Sequence, residues 1–158
     1  MPPPSLVAVS ELIASWHDIV RLALVDVPRE SLRDSSVVVG LDGGDVLKIG
    51  DAIYVGHGGR TNHDGIRQLA DHFPDAIVVP VPVTKVLHLK SAVTALPDGT
   101  VIGYEPLVDY PEGFPRFLAV PEETGSHVVL LDDRTVLMAA SAPKTAKLLE
   151  ERGLRTVT

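Results

Sequence analysis

Three short stretches of this 158-residue sequence carry side chains that could do chemistry together. The stretch LDGGDV places Asp42 and Asp45 on either side of two glycines. GGRTN places Arg60 just before a predicted helix, and LHLKS places His88 between apolar runs. A histidine can move a proton, a carboxylate can orient its ring, and an arginine can hold a substrate carboxylate. Taken singly, the three stretches have structural interpretations: a polar turn, a solvated arginine and a core histidine.

The sequence lacks most of the motifs that commonly mark catalytic sites. The sequence has no cysteine, which excludes a disulfide, cysteine-ligated zinc and a cysteine nucleophile within these 158 residues. It also lacks a phosphate-binding Gly-Lys-Ser/Thr loop, a His-Glu-x-x-His pair and a Gly-x-Ser-x-Gly turn. His57 and His63 are the one weak candidate for a metal pair, so we predict neither a metal nor a cofactor.

Charge and hydropathy exclude two classes of partner. The chain carries 14 basic and 21 acidic side chains, a net charge of −7, whereas a nucleic-acid-binding or anionic-membrane-binding surface needs a basic face. No apolar run reaches the roughly 18 residues that span a bilayer. The first twenty residues lack the basic start of a signal peptide, and Glu11 interrupts their apolar part, so we expect the cytoplasm.

A repeating pattern organises the chain. Three segments, residues 41–83, 87–121 and 126–158, each read as a strand, a tight turn, a second strand, a helix or loop, and a third strand. Residues 6–27 read as half of such a unit, a helix followed by a strand, and residues 1–5 as a disordered tail. We therefore predict one partial α/β domain of repeated ββαβ units, in which the three stretches above flank strands instead of lying in the outer helices.

Local signals predict where the two outer helices begin. Thr61 or Asn62 can cap the helix that follows Arg60, and Pro74 ends it. Ser141 is the predicted cap of the last helix, with a proline in its first turn.

Together the phrases LDGGDVL, YVGHGGRTN, VPV and LHLKS resemble those of the guanidine-modifying superfamily of five-bladed α/β propellers, in the same order. Within it, the sequence is most similar to the dimethylarginine dimethylaminohydrolases, from about Leu6 to Thr158. Arginine deiminases and amidinotransferases share a Gly-Gly-Asp phrase but usually carry an aspartate two positions after the histidine, where this chain has Lys90. The resemblance implies an α/β propeller with about three and a half of five blades in this sequence.

The resemblance also implies roles for individual residues. His88 would be the general acid and base, Asp42 would orient and stabilise its imidazole, and Arg60 would hold the α-carboxylate of a guanidino amino acid. Asp45 could take part in the site or be structural, and we favour the structural role. The nucleophile of the family is a cysteine on a short C-terminal segment, and this sequence contains none. We therefore expect the chain alone to be inactive in hydrolysing dimethylarginine to citrulline and dimethylamine.

Several alternatives stay open at this level. The sequence could be a fragment of an enzyme, one half of a two-chain enzyme, or a non-catalytic relative that binds a guanidino amino acid or a protein. A deiminase-like or amidinotransferase-like activity is a further alternative. Self-association, or a partner chain that completes the propeller, would cover the apolar strand faces of an incomplete ring.

Overall fold

The computed structural model describes residues 40–158. The half unit predicted at 6–27 and the tail predicted at 1–5 lie outside these described residues. Within 40–158, three separate three-stranded sheets follow one another along the chain, and each has its strands in sequence order.

The first sheet contains β1 (Val46–Ile49), β2 (Ala52–Gly58) and β3 (Ile77–Val83). β1 and β2 form an antiparallel hairpin around Gly50, whose φ of 57° suits a residue without a Cβ. Helix α1 (His63–His72) then returns the chain so that β3 pairs parallel to β2. β3 is an edge strand of this sheet, and this explains how it tolerates Pro80 and Pro82, which cannot donate to a neighbouring strand.

The second and third sheets repeat this connectivity. β4 (Val93–Ala95) pairs antiparallel to β5 (Val101–Gly103), which pairs parallel to β6 (Phe117–Ala119). β7 (Val129–Asp132), β8 (Thr135–Leu137) and β9 (Arg155–Val157) are arranged likewise, with a register shift in β7. Helix α2 (Pro143–Glu151) connects β8 to β9.

The second unit replaces the helix with two 3-10 turns, Glu105–Leu107 and Pro111–Gly113. Prolines recur through this connection, and a proline inside a helix removes a backbone donor and clashes with the preceding turn. The irregular connection predicted from the sequence EPLVDYPEGFP is therefore what forms.

Apolar side chains join consecutive sheets. Leu47 and Tyr54 of the first sheet pack with Val93 and Val101 of the second in one buried cluster. A second cluster joins Ile102 of the second sheet to the third sheet and to α2; its other fully buried members are Val136, Ala142 and Leu149. A third, smaller cluster lies under α1 and contains Ile53, Val55 and Ile66.

The helix caps agree with one sequence prediction and contradict another. Asn62 caps α1, and its side chain accepts a 3.0 Å hydrogen bond from the Gly65 N–H. The prediction that Ser141 caps α2 is wrong, because the cap position is Ala142 and its side chain makes no capping bond. Glu122, which lies before the third sheet, accepts from the N–H groups of Lys144 and Thr145 instead, at 3.0 and 2.8 Å. A long-range carboxylate thus takes the place of a local cap.

Candidate active site

Asp42 and Asp45 are positioned by one 3-10 turn, Gly43–Asp45, directly before β1. Asp42 is the cap residue of this turn, and its carboxylate accepts a 2.8 Å hydrogen bond from the Gly44 N–H. Because a 3-10 helix has three residues per turn, the side chains at positions i and i+3 lie on the same side. The turn therefore presents two carboxylates in one direction, with Asp42 partly exposed and Asp45 buried.

His88 lies opposite these carboxylates, at the start of the 3-10 turn Leu89–Ser91. Its Nδ1 is 3.8 Å from Oδ1 of Asp42 and 3.6 Å from Oδ2 of Asp45. The imidazole is 18% exposed, and within residues 40–158 its buried Nδ1 has no hydrogen-bond partner. A buried polar nitrogen that faces two carboxylates is one short movement from a hydrogen bond, and catalytic hydrogen bonds are often long before substrate binds.

Asp45 connects the three elements that meet here. Its Oδ1 accepts a 2.9 Å hydrogen bond from the Leu89 N–H, and its Oδ2 accepts a 2.6 Å bond from the Thr61 hydroxyl. Thr61 is fully buried, and its hydroxyl also accepts a 3.0 Å bond from the Asp42 N–H. The turn before β1, the segment after β2 and the turn that follows His88 are therefore linked through one buried carboxylate. The sequence alone leaves Asp45 open between a part in the site and a structural role, with the structural role favoured.

Arg60 immediately precedes Thr61 in the segment between β2 and α1. Its side chain is exposed, and among residues 40–158 the guanidinium has no hydrogen bond or ion pair. The backbone on either side is held firmly, because the Gly58 N–H bonds the Thr61 carbonyl and the Asn62 N–H bonds the Gly40 carbonyl. A planar guanidinium at such a position can bind a carboxylate with two parallel hydrogen bonds.

The segment that carries His88 is also held from the other units. The imidazole Nε2 of His127 lies 2.8 Å from the carbonyl oxygen of Ser91. The Ser91 N–H in turn bonds the His88 carbonyl at 2.9 Å. Asp109 holds the loop that precedes His88 through the N–H and hydroxyl of Thr84. No sequence motif marks His127 or Asp109, because both act across more than twenty residues.

The two histidines considered for a metal pair stack on each other, with ring centroids 3.9 Å apart for His57 and His63. Burial lowers the pKa of His57, and the neighbouring His63 lowers it further. In the part of the chain that the structure describes, no group of three or more histidine, cysteine or acidic residues could hold a metal ion. Nor does a helix in that part have the length and hydropathy to cross a membrane.

Two bacterial enzymes are similar to this chain over about three quarters of its length. The chain is 70% identical over 115 residues to N(G),N(G)-dimethylarginine dimethylaminohydrolase of Streptomyces coelicolor, which covers 72% of this chain and 45% of that protein. It is 31% identical over 125 residues to the enzyme of the same name from Pseudomonas aeruginosa, covering 74% of this chain and 48% of that protein. The chain thus spans about half the length of the curated relatives it matches. No family model matches the chain.

Solved structures indicate the same fold. A mutant dimethylarginine dimethylaminohydrolase from Pseudomonas aeruginosa, complexed with citrulline, superposes with a TM-score of 0.63 at 28% identity. The match covers 72% of this chain and 46% of that one. The inosamine-phosphate amidinotransferase of Streptomyces griseus gives a TM-score of 0.61 at 17% identity, which is a likeness of fold alone. The three sheets are consecutive blades of an α/β propeller of the kind that these proteins share.

Proposed function

Over the part that it shares with these relatives, this chain belongs to the dimethylarginine dimethylaminohydrolase family of the guanidine-modifying superfamily, and we propose that it contributes the proton-transfer and carboxylate-binding side of a methylarginine hydrolase site. The reaction is dimethylarginine plus water to citrulline plus dimethylamine. His88 and Asp42 are the proposed catalytic residues, and Arg60 is the proposed substrate-binding residue. No cofactor or metal takes part in this proposal.

The proposed chemistry has two stages. A thiolate attacks the guanidinium carbon, and His88 in its protonated form gives a proton to the departing dimethylamine as the C–N bond breaks. The neutral His88 then takes a proton from water, whose oxygen attacks the same carbon and releases the thiolate and citrulline. Asp42 orients the imidazole and stabilises its protonated form, which is present before the first stage and is restored by the second, and Arg60 holds the α-carboxylate of the substrate.

One observation carries the proposal: the buried Nδ1 of His88 faces the carboxylates of Asp42 and Asp45 at 3.8 and 3.6 Å. Two carboxylates at this place would attract a cationic guanidinium. The 70% identity to the Streptomyces coelicolor protein supports the same assignment.

The sequence contains no cysteine, so the thiolate in this proposal comes from residues outside it, on the same or on a second polypeptide. We propose that the 158-residue chain alone has no hydrolase activity.

Exposed apolar residues in the third sheet support a partner or a second copy that covers this face. Val129 is 58% exposed and Leu131 is 55% exposed in β7, an edge strand of its sheet. We place the protein in the cytoplasm.

Complementation tests the proposal. The purified chain is mixed with the half of the Streptomyces coelicolor relative that it does not match, and citrulline is measured after addition of dimethylarginine. The matching half of that relative, mixed with the same partner, is the positive control. Citrulline release only from the mixture is expected, and it is lost in His88→Asn. Release by the chain alone would contradict the proposal, as would failure to complement while the control succeeds.

A non-catalytic relative that binds a guanidino amino acid is the second candidate, favoured by the lack of cysteine. It predicts that citrulline or arginine raises the unfolding temperature of the chain alone, by mass action on the folded state. The matched variants are Arg60→Gln, which should abolish this rise, and Arg67→Gln, which alters an exposed arginine of α1 that is already paired with Asp64. Use of arginine itself as the hydrolysed substrate would instead indicate a deiminase-like activity.

A further inference from the structure

We propose that Asp45 is a positioning residue for His88, acting as the buried centre of a Thr61–Asp45–Leu89 network that orients the imidazole. The inference rests on the proposed function in one respect, since His88 is the proton carrier there. It assigns a role to a residue that the sequence motif alone leaves as part of a turn.

Burial and charge make Asp45 an unusual structural residue. It is 3% exposed, and an ionised carboxylate in such a place is costly unless hydrogen bonds and a positive group compensate it. The Leu89 N–H and the Thr61 hydroxyl supply two of these hydrogen bonds. Oδ2 also faces Nδ1 of His88 at 3.6 Å, and that nitrogen has no hydrogen-bond partner within residues 40–158. The remaining capacity of the carboxylate is therefore directed at the imidazole.

The network restrains both the backbone and the ring of His88. Leu89 directly follows His88, so its bond to Asp45 fixes the backbone from which the imidazole projects. Two acceptors on the Nδ1 side favour the neutral tautomer with its proton on Nδ1. That tautomer leaves the lone pair of Nε2 available to take a proton from the reacting groups. Asp42 and Asp45 would share this task, with Asp42 at the exposed side and Asp45 at the buried side.

Two glycines show how closely the backbone approaches the side chains of Asp45 and His88. A Cβ added at Gly56 would lie 2.7 Å from Oδ1 of Asp45, and one added at Gly44 would lie 2.7 Å from Cγ of His88. Both distances are far shorter than carbon–carbon or carbon–oxygen van der Waals contact. The carboxylate and the imidazole therefore have little freedom to move apart without rearranging β2 or the turn Gly43–Asp45.

Nitrogen NMR of the full chain with labelled histidine tests the inference without substrate or cysteine. The two imidazole nitrogens report which of them carries the proton, and His88→Gln identifies the signals of His88 among the six histidines. We expect the wild-type ring to be held with its proton on Nδ1 when neutral. In Asp45→Asn this preference should be lost, and the signals should move toward those of a freely exposed histidine. Asp98→Asn is the matched control, because Asp98 also accepts from a backbone N–H and a threonine hydroxyl, both in Thr100.

A second pair of variants keeps the carboxylate and guards against loss of folding in Asp45→Asn. Thr61→Val removes the hydroxyl that bonds Oδ2, and Thr61→Ser retains it. We expect the valine variant to shift the His88 signals and the serine variant to restore them. Identical His88 signals in wild type and in folded Asp45→Asn or Thr61→Val would overturn the inference. Failure of the complementation assay with an intact tautomer preference would instead count against the proposed function alone.

Discussion

The carboxylate of Asp109 holds Thr84 by two hydrogen bonds, one of 2.7 Å from the backbone N–H and one of 2.6 Å from the hydroxyl. A third bond, of 3.3 Å, comes from the Lys85 N–H. Thr84 directly follows β3 and begins the loop that leads to His88, whereas Asp109 belongs to the connection between β5 and β6. A partly exposed carboxylate of the second unit therefore anchors the segment that carries the candidate proton carrier.

Replacing Asp109 should loosen that loop. We expect Asp109→Ala to lower the free energy of unfolding by about 1 kcal/mol, because hydrogen bonds to a charged group are strong but solvent screens a partly exposed one. Urea unfolding followed by circular dichroism measures the change. Glu112→Ala is the control, since Glu112 is exposed on the same connection and has no hydrogen bond or ion pair within residues 40–158. Equal stability of the two variants would show that the anchor contributes nothing.

Acid should weaken the same anchor. Burial acts to raise the pKa of Asp109, but hydrogen bonds from Thr84 and Lys85 outweigh it and hold the pKa below the ordinary value of 3.8. A carboxyl whose pKa is lowered on folding stabilises the protein above its unfolded pKa, and this contribution disappears as the pH falls through the folded pKa.

We therefore expect the unfolding temperature to fall as the pH is lowered below about 4. The fall should be smaller in Asp109→Asn, which has no carboxyl to titrate. Thermal unfolding across an acidic pH series measures both curves. Parallel curves for wild type and Asp109→Asn would contradict the prediction.

The two glycines before Asp45 should differ sharply in their tolerance of a methyl group. A Cβ at Gly44 would contact the His88 ring at 2.7–3.0 Å, whereas one at Gly43 would meet nothing within 4 Å. We expect Gly44→Ala to displace the imidazole and change its NMR signals, and Gly43→Ala to leave them unchanged. If citrulline raises the unfolding temperature of the wild type, Gly44→Ala should reduce this rise and Gly43→Ala should leave it unchanged. Unchanged His88 signals in Gly44→Ala would argue that the ring is not held in the described position.

The core between the second and third sheets should be sensitive to truncation. Leu149 of α2 is fully buried in the cluster that contains Ile102 and Val136. Leu149→Ala should cost about 2–5 kcal/mol, because it removes buried methyl groups and leaves a cavity. Leu131→Ala, at an exposed position of β7, should change stability by no more than about 0.5 kcal/mol. Urea unfolding of both variants compares them, and similar losses would contradict the assignment of the core.

A charged residue introduced in β7 tests whether the chain self-associates through the third sheet. Val129→Lys places an ammonium group on an exposed apolar edge strand and should shift any oligomer toward monomer. Gln68→Lys adds the same charge on the exposed side of α1 and should have no effect. Sedimentation velocity over a range of concentrations measures the difference. An oligomer that both variants leave intact would place the interface elsewhere.

Much of the fold follows from local signals in the sequence. The turns at Gly50 and Gly99 adopt positive φ, as glycine allows, and the hairpins around them form where apolar runs flank those turns. The cap at Asn62 also depends only on neighbouring residues. Such features could be predicted because the interactions that produce them lie within a few residues of each other.

The sequence by itself determined the repeated units, the family phrases and the choice of His88, Asp42 and Arg60 as candidates. Only the tertiary structure decided that Asp45 lies beneath His88, bonded to a backbone N–H 44 residues away. It likewise decided that Glu122, and not Ser141, accepts a hydrogen bond from a backbone N–H at the start of α2, more than twenty residues away in the sequence. These contacts form only when separate sheets pack against each other. A buried carboxylate needs hydrogen-bond partners, but its partners here lie far away in the sequence, so no local pattern of residues predicts them.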